Sequence, residues 1–247
     1  MVRIAFHILI VLILTLLTQI GGIAWVISRF FKRHLLAFVA AYMTLSLASI
    51  WIAPHFGRVA LSCTKEGPLE VQRWMYCALN RNYVSPEMYD VLTSTAEEME
   101  RRHPGTVTVV LDANFPFLDG FPLLPHLSHD DGEKADLAFY YADETGYLKG
   151  ATRSPIGYFA FEQGPTECSK TWPTLRWDFD ALQPLWHGYG IDEDRNRSVL
   201  EVLVEDDRVG KVFVEPHLVD RLGVAHPKIR FQGCRAARHD DHIHFQL

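Results

Sequence analysis

The first 54 residues contain no Asp and no Glu, and their only fixed charges are Arg3, Arg29, Lys32 and Arg33. Ile4 to Ser28 is a run of 25 residues without a charged side chain, and Leu35 to Pro54 is a second run of 20. A helix needs roughly 20 apolar residues to cross a hydrocarbon core of about 30 Å, so two transmembrane helices are expected, over about 4–28 and 35–54. The basic loop between them, Arg29-Phe30-Phe31-Lys32-Arg33-His34, belongs in the cytoplasm by the positive-inside rule, with both ends outside. A signal peptide is the competing reading of the first run, but the region is longer than a usual apolar signal segment and a second run follows it.

The remainder of the 247-residue chain carries 20 basic and 30 acidic residues. That balance offers no global basic field for gripping a phosphate backbone, so a nucleic-acid partner is not expected. With 48% hydrophobic and 22% charged residues, disorder, collagen and coiled coil are excluded. Residues 55–247 show no repeat or low-complexity tract and read as one outer domain behind a helical hairpin, residues 1–54.

All four cysteines, Cys63, Cys77, Cys168 and Cys234, follow the second apolar run. In an oxidising compartment they form two bridges, which we expect to be Cys63 with Cys77, on proximity, and Cys168 with Cys234, by elimination. None has CxxC spacing, which argues against a cysteine zinc site.

Residues 68–80 read as a short helix. A second helix is predicted to start at the Ser85 cap with Pro86 behind it, and to run through Met88, Val91, Leu92 and Ala96 to the His103-Pro104-Gly105 stop. Strands are predicted over 106–111, 135–141 and 211–215 and helices over 174–185, 193–206 and 216–222, with a terminal strand at 241–247. Strands and helices without a βαβ rhythm indicate an α+β fold, an antiparallel sheet with flanking helices.

Five of the 12 histidines fall in two short segments. In His126-Leu-Ser-His129-Asp-Asp-Gly132-Glu-Lys-Ala-Asp136, a His and an Asp seven residues apart flank a glycine turn that leads into an apolar strand. In Arg238-His239-Asp240-Asp241-His242-Ile243-His244-Phe245, the two-residue period of a strand puts His242 and His244 on one face and Ile243 and Phe245 toward the core. Two imidazoles and one carboxylate, from His129, Asp136 and His244, make a zinc shell of the catalytic type, with its fourth position open.

These two segments resemble the penicillin-insensitive murein endopeptidases, within the zinc peptidase superfamily of lysostaphin, D-Ala-D-Ala metallopeptidases and hedgehog domains. The resemblance covers roughly residues 105–247 and is specific only at the two motifs. It implies that His129, Asp136 and His244 bind one Zn2+ ion and that His242 assists catalysis beside it. His126 and His239 would then lie behind the ligands or on the substrate's side. Asp130 and Glu133 depart from the residues common in that family's motif, which bears on substrate preference. Strand parity favours His242 as the general base, while Asp241, three residues before the last His, occupies a position that is acidic in related members. Asp241 reaches the metal only if the strand begins after it or bulges.

The expectation is therefore a zinc metallopeptidase anchored in a bacterial inner membrane. Its catalytic domain would lie in the periplasm or outside, hydrolysing peptide stems or cross-links of peptidoglycan as a D,D- or L,D-endopeptidase. The alternatives are a catalytically inactive zinc-containing binding module at the cell envelope, or a D,D-carboxypeptidase or dipeptidase. Trp172, Trp177 and Trp186 read mainly as core residues, with Tyr140, Tyr141 and Trp186 as candidates to line a peptide groove.

Overall fold

The computed structural model describes residues 2–169 and 174–247. In chain order the helices are α1 (Val2–Thr18), α2 (Gly21–Ser28), α3 (His34–Ile52), α4 (Trp74–Ala78), α5 (Pro86–Arg102), α6 (Glu193–Glu205) and α7 (Pro216–Leu222). The strands are β1 (Val59–Ala60), β2 (Leu69–Val71), β3 (Tyr83–Val84), β4 (Thr108–Val110), β5 (Lys134–Ala138), β6 (Tyr141–Asp143), β7 (Gly146–Tyr147), β8 (Gly190–Ile191), β9 (Lys211–Phe213), β10 (Ile229–Arg230) and β11 (His242–Gln246). The chain divides into two compact units, one of residues 1–62, 74–89 and 112–134, the other of 63–73, 90–111 and 135–247.

In the first unit, the apolar run 4–28 is not the single span expected. It breaks at Gln19, whose φ is +62°, and α2 folds back along α1. Gly21 and Gly22 permit the approach: an added Cβ would lie 2.9 Å from the Leu14 carbonyl oxygen at Gly21 and 2.8 Å from that of Val11 at Gly22. The His7 and Trp25 rings, 5.9 Å apart, mark the same antiparallel course. At 1.5 Å per residue the 17 residues of α1 reach only about 25 Å, short of a hydrocarbon core. Among the described residues one helix, His34–Phe56, is long and apolar enough to cross a membrane.

The break is tied to the rest of this unit. Gln19 Oε1 accepts from the Phe117 N–H at 3.1 Å, and the Tyr42 hydroxyl donates to the Ala78 carbonyl at 2.5 Å. β1 pairs antiparallel with β3. Ser85 caps α5 as expected, its Oγ accepting from the Met88 N–H at 3.1 Å.

The second unit is built on a six-stranded sheet of order β10-β9-β11-β5-β4-β2. It is antiparallel where β4 meets β5 and where β9 meets β11, and parallel at its edges, β10 with β9 and β2 with β4. The architecture is the expected α+β, with one mixed sheet. Residues 69–71 form an edge strand instead of the start of the predicted helix, because Leu69 to Val71 pair with Thr108 to Val110. α6 begins at Asp192, whose side chain accepts from the Arg195 N–H, and buries Val199, Leu200, Leu203 and Val204. β6 joins β7 and β8 in a three-stranded sheet. The predicted helix over 174–185 is a loop with a single 3-10 turn, Gln183–Leu185.

Cys168 and Cys234 form a disulfide, with Cα atoms 5.2 Å apart. Cys63 and Cys77 are each disulfide-bonded too, and no cysteine is free; the expected pairing of Cys168 with Cys234 holds.

Candidate metal centre

The loop that follows β4 is organised from Asp112, which is 1% exposed. Arg81 donates Nε to Asp112 Oδ1 at 2.7 Å, pairs its Nη2 with Oδ2, and donates Nη1 to the Leu124 carbonyl at 2.7 Å. Burial works to raise the Asp112 pKa, but Arg81 and His126 overcome it and hold the carboxyl below its ordinary range. His126 Nδ1 lies 3.0 Å from Asp112 Oδ2. His129 Nδ1 lies 2.8 Å from the Ala113 carbonyl oxygen. A carbonyl only accepts, so Nδ1 carries the proton and Nε2 of a neutral ring is the lone-pair nitrogen, the tautomer a metal ligand needs. The loop then closes on Asn114, whose Oδ1 accepts from the Gly132 N–H at 3.1 Å and whose Nδ2 donates to the Lys134 carbonyl at 2.8 Å.

Asp136, on β5, is fully buried. Its Oδ2 accepts from the Tyr158 hydroxyl at 2.7 Å. Its Oδ1 lies 2.8 Å from His244 Nδ1 and 3.8 Å from His242 Nε2. The shared face of His242 and His244 is thus the face of β11 that meets Asp136, while Ile243 and Phe245 are fully buried on the other. His239 joins the same cluster, its ring 5.0 Å from that of His242 and 5.6 Å from that of His244.

Asp241 lies just before β11 begins. Its Oδ1 is 2.5 Å from His242 Nδ1, and its Oδ2 accepts from the Phe159 N–H at 2.5 Å. Both carboxylate oxygens are therefore engaged with protein groups. Burial disfavours a charged His242, yet Asp136 and Asp241 outweigh it and push its pKa up to about 9. A cation held at Asp136 works against that rise.

Along 126–136, one ligand atom from each of His126, His129 and Asp136 can be chosen so that all lie within 4.8 Å of one another. This group could hold a metal ion. It includes His126, which the resemblance placed outside the ligand set, while His244 contacts Asp136 directly.

The spacing of the motifs did not point to Arg81, Asp112, Tyr158 or Phe159, because each comes from a separate stretch of chain and acts through a neighbour. Tyr140 and Tyr141 do not line a groove: they are 4% and 2% exposed, and the Tyr140 hydroxyl is 2.7 Å from Thr108 Oγ1. Trp186 donates its Nε1 to the Phe159 carbonyl at 2.8 Å, and Trp177 is 45% exposed. Trp172 lies outside the described residues. Arg153 is paired with Glu162. The chain matches no protein-family model, and no curated protein is significantly similar to it.

Proposed function

We propose that this chain is a membrane-anchored zinc peptidase that cleaves peptide stems or cross-links of peptidoglycan, with His129, Asp136 and His244 as the metal ligands. The observation that carries the reading is the buried junction at Asp136, where a fully buried carboxylate meets two histidines of one strand face and the Tyr158 hydroxyl. The donor set fits the metal: imidazole nitrogens and a carboxylate suit zinc, and every cysteine is committed to a disulfide. Held there, zinc supplies Lewis acidity, which polarises a carbonyl and acidifies water.

The protein's own groups do the rest. Tyr158 holds Asp136 Oδ2 in place. His242, gripped at Nδ1 by Asp241, directs Nε2 toward Asp136, where it takes the water's proton and returns it to the leaving amine. Asp241 then serves as the partner that orients His242, and His126, held by Asp112, faces the substrate's side. Two disulfides support an outer-face location, and α3 supports a bilayer anchor.

The test uses the full chain in lipid nanodiscs, because the first unit joins residues 1–62 to 74–89 and 112–134 and truncation at residue 54 would cut through it. Cross-linked muropeptides are incubated with and without a chelator and read by mass spectrometry. Dimers converted to monomers, stopped by chelator and restored by zinc, are expected. Loss of a terminal D-Ala alone means a carboxypeptidase. No product from folded, zinc-loaded protein overturns the peptidase reading in favour of a wall-peptide binding module.

A further inference from the structure

Phe159 has a φ of +65°. This is the left-handed region, where an aromatic residue rarely sits and persists only when its surroundings over-determine it. Three hydrogen bonds hold it. Its carbonyl accepts from Gln183 Nε2 at 2.8 Å and from Trp186 Nε1 at 2.8 Å, and its N–H donates to Asp241 Oδ2 at 2.5 Å. The Gln183 amide is itself oriented, since its Oε1 accepts from the Phe161 N–H at 3.2 Å.

We infer that Gln183 and Trp186 are positioning residues that lock the Phe159 backbone in its left-handed conformation and thereby set Asp241 and, through it, His242. The kinetic consequence rests on the peptidase reading; the structural consequence does not. If φ at residue 159 relaxed to a negative value, the peptide plane between Tyr158 and Phe159 would turn and its N–H would leave Asp241. Asp241 would then be free to rotate, and His242 Nδ1 would lose its fixed acceptor. The same turn carries Tyr158, whose hydroxyl holds Asp136, so one strained residue sets both carboxylates that flank His242. The side chains of Gln183 and Trp186 hydrogen-bond the backbone of Phe159, Phe161 and Asp178, which is why they act through Phe159.

The test is a double-mutant cycle in the full chain in nanodiscs. Trp186→Phe keeps a ring and removes the donor. Phe159→Gly removes the need for the lock, because glycine takes positive φ at no steric cost. Two readouts are taken: the low-field Nδ1 proton of His242 in 15N-histidine-labelled protein, assigned by its loss in His242→Gln, and kcat and KM on cross-linked muropeptides. Trp186→Phe alone is expected to shift or broaden the His242 proton and to lower kcat about tenfold with KM nearly unchanged, the usual scale for a group that orients a catalytic side chain. In the Phe159→Gly background the same change is expected to alter neither. If Phe159→Gly does not fold, Phe159→Asn replaces it, since Asn tolerates the left-handed region. An unchanged His242 proton in Trp186→Phe overturns the inference, as does an equal effect in both backgrounds. A chain that cleaves no muropeptide refutes the peptidase reading, and the proton resonance still decides the positioning role.

Discussion

Arg81→Met removes the guanidinium that balances Asp112. The pair is buried on both sides, with side chains 9% and 1% exposed, and Arg81 engages both carboxylate oxygens. Breaking a buried pair by removing one partner costs about 3–5 kcal/mol, because the stranded charge keeps its desolvation penalty. For a chain of this size that corresponds to a fall in Tm of about 6–20 °C. Arg81→Met with Asp112→Leu removes both charges, and what remains is lost hydrogen bonding. The Leu124 carbonyl belongs to a residue 42% exposed and can turn to water, and the loss of the acceptor at His126 Nδ1 costs about 1–3 kcal/mol. The double variant should therefore be more stable than Arg81→Met alone. Thermal unfolding of the full chain at neutral pH, followed by circular dichroism at fixed protein and lipid concentration, measures these two variants and Asp112→Leu alone. A double variant destabilised by the sum of the two single changes would refute the coupling and, with it, the role of Arg81 as the counter-charge that lets Asp112 hold His126.

Three further outcomes are expected. Asp112 titrates below its usual 3.8 in the folded chain, so its contribution to stability is intact above that value and is lost as pH falls through the lower, folded one; Asp112→Asn should flatten the acid limb of a stability-against-pH curve, and an unchanged limb would count against the ion pair. Replacing Cys168 and Cys234 by Ala opens a loop closed at a sequence separation of 66, which should cost about 4 kcal/mol by the chain-entropy relation, checked by denaturant unfolding. Zinc binding, measured by competition with a chromophoric chelator, should weaken at least tenfold in His129→Ala, Asp136→Ala and His244→Ala, whereas His242→Gln should keep the metal and lose turnover; equal loss of zinc in His242→Gln would move that residue into the ligand set.

Much of the local structure is legible because its signals are local. The Ser85 cap, the buried stripe of Met88, Val91, Leu92, Ala96 and Met99 in α5, the proline start of α7 and the alternation of β11 all follow from neighbours within one or two turns. Elements that depend on distant partners are less legible. Leu69 to Val71 become a strand through pairing with β4. Residues 174–185 stay mostly irregular, and the side chain of Gln183 bonds the backbone of Phe159 and Phe161. The apolar run 4–28 satisfies the length rule for a span, yet it folds back at Gln19 because Gly21 and Gly22 let two helices touch and Phe117 supplies the hydrogen bond that holds the bend.

The candidate site divides the same way. Spacing alone brings His126, His129 and Asp136 forward as a group that could hold a metal ion, and strand periodicity alone puts His242 and His244 on one face. Which groups restrain them is decided only by tertiary structure. Asp112 and Arg81 behind His126, Tyr158 behind Asp136, and Phe159 behind Asp241 come from separate stretches of chain. A buried carboxylate or imidazole takes whichever donor or acceptor the packed fold brings within about 3 Å, and that proximity leaves no periodic trace along the sequence.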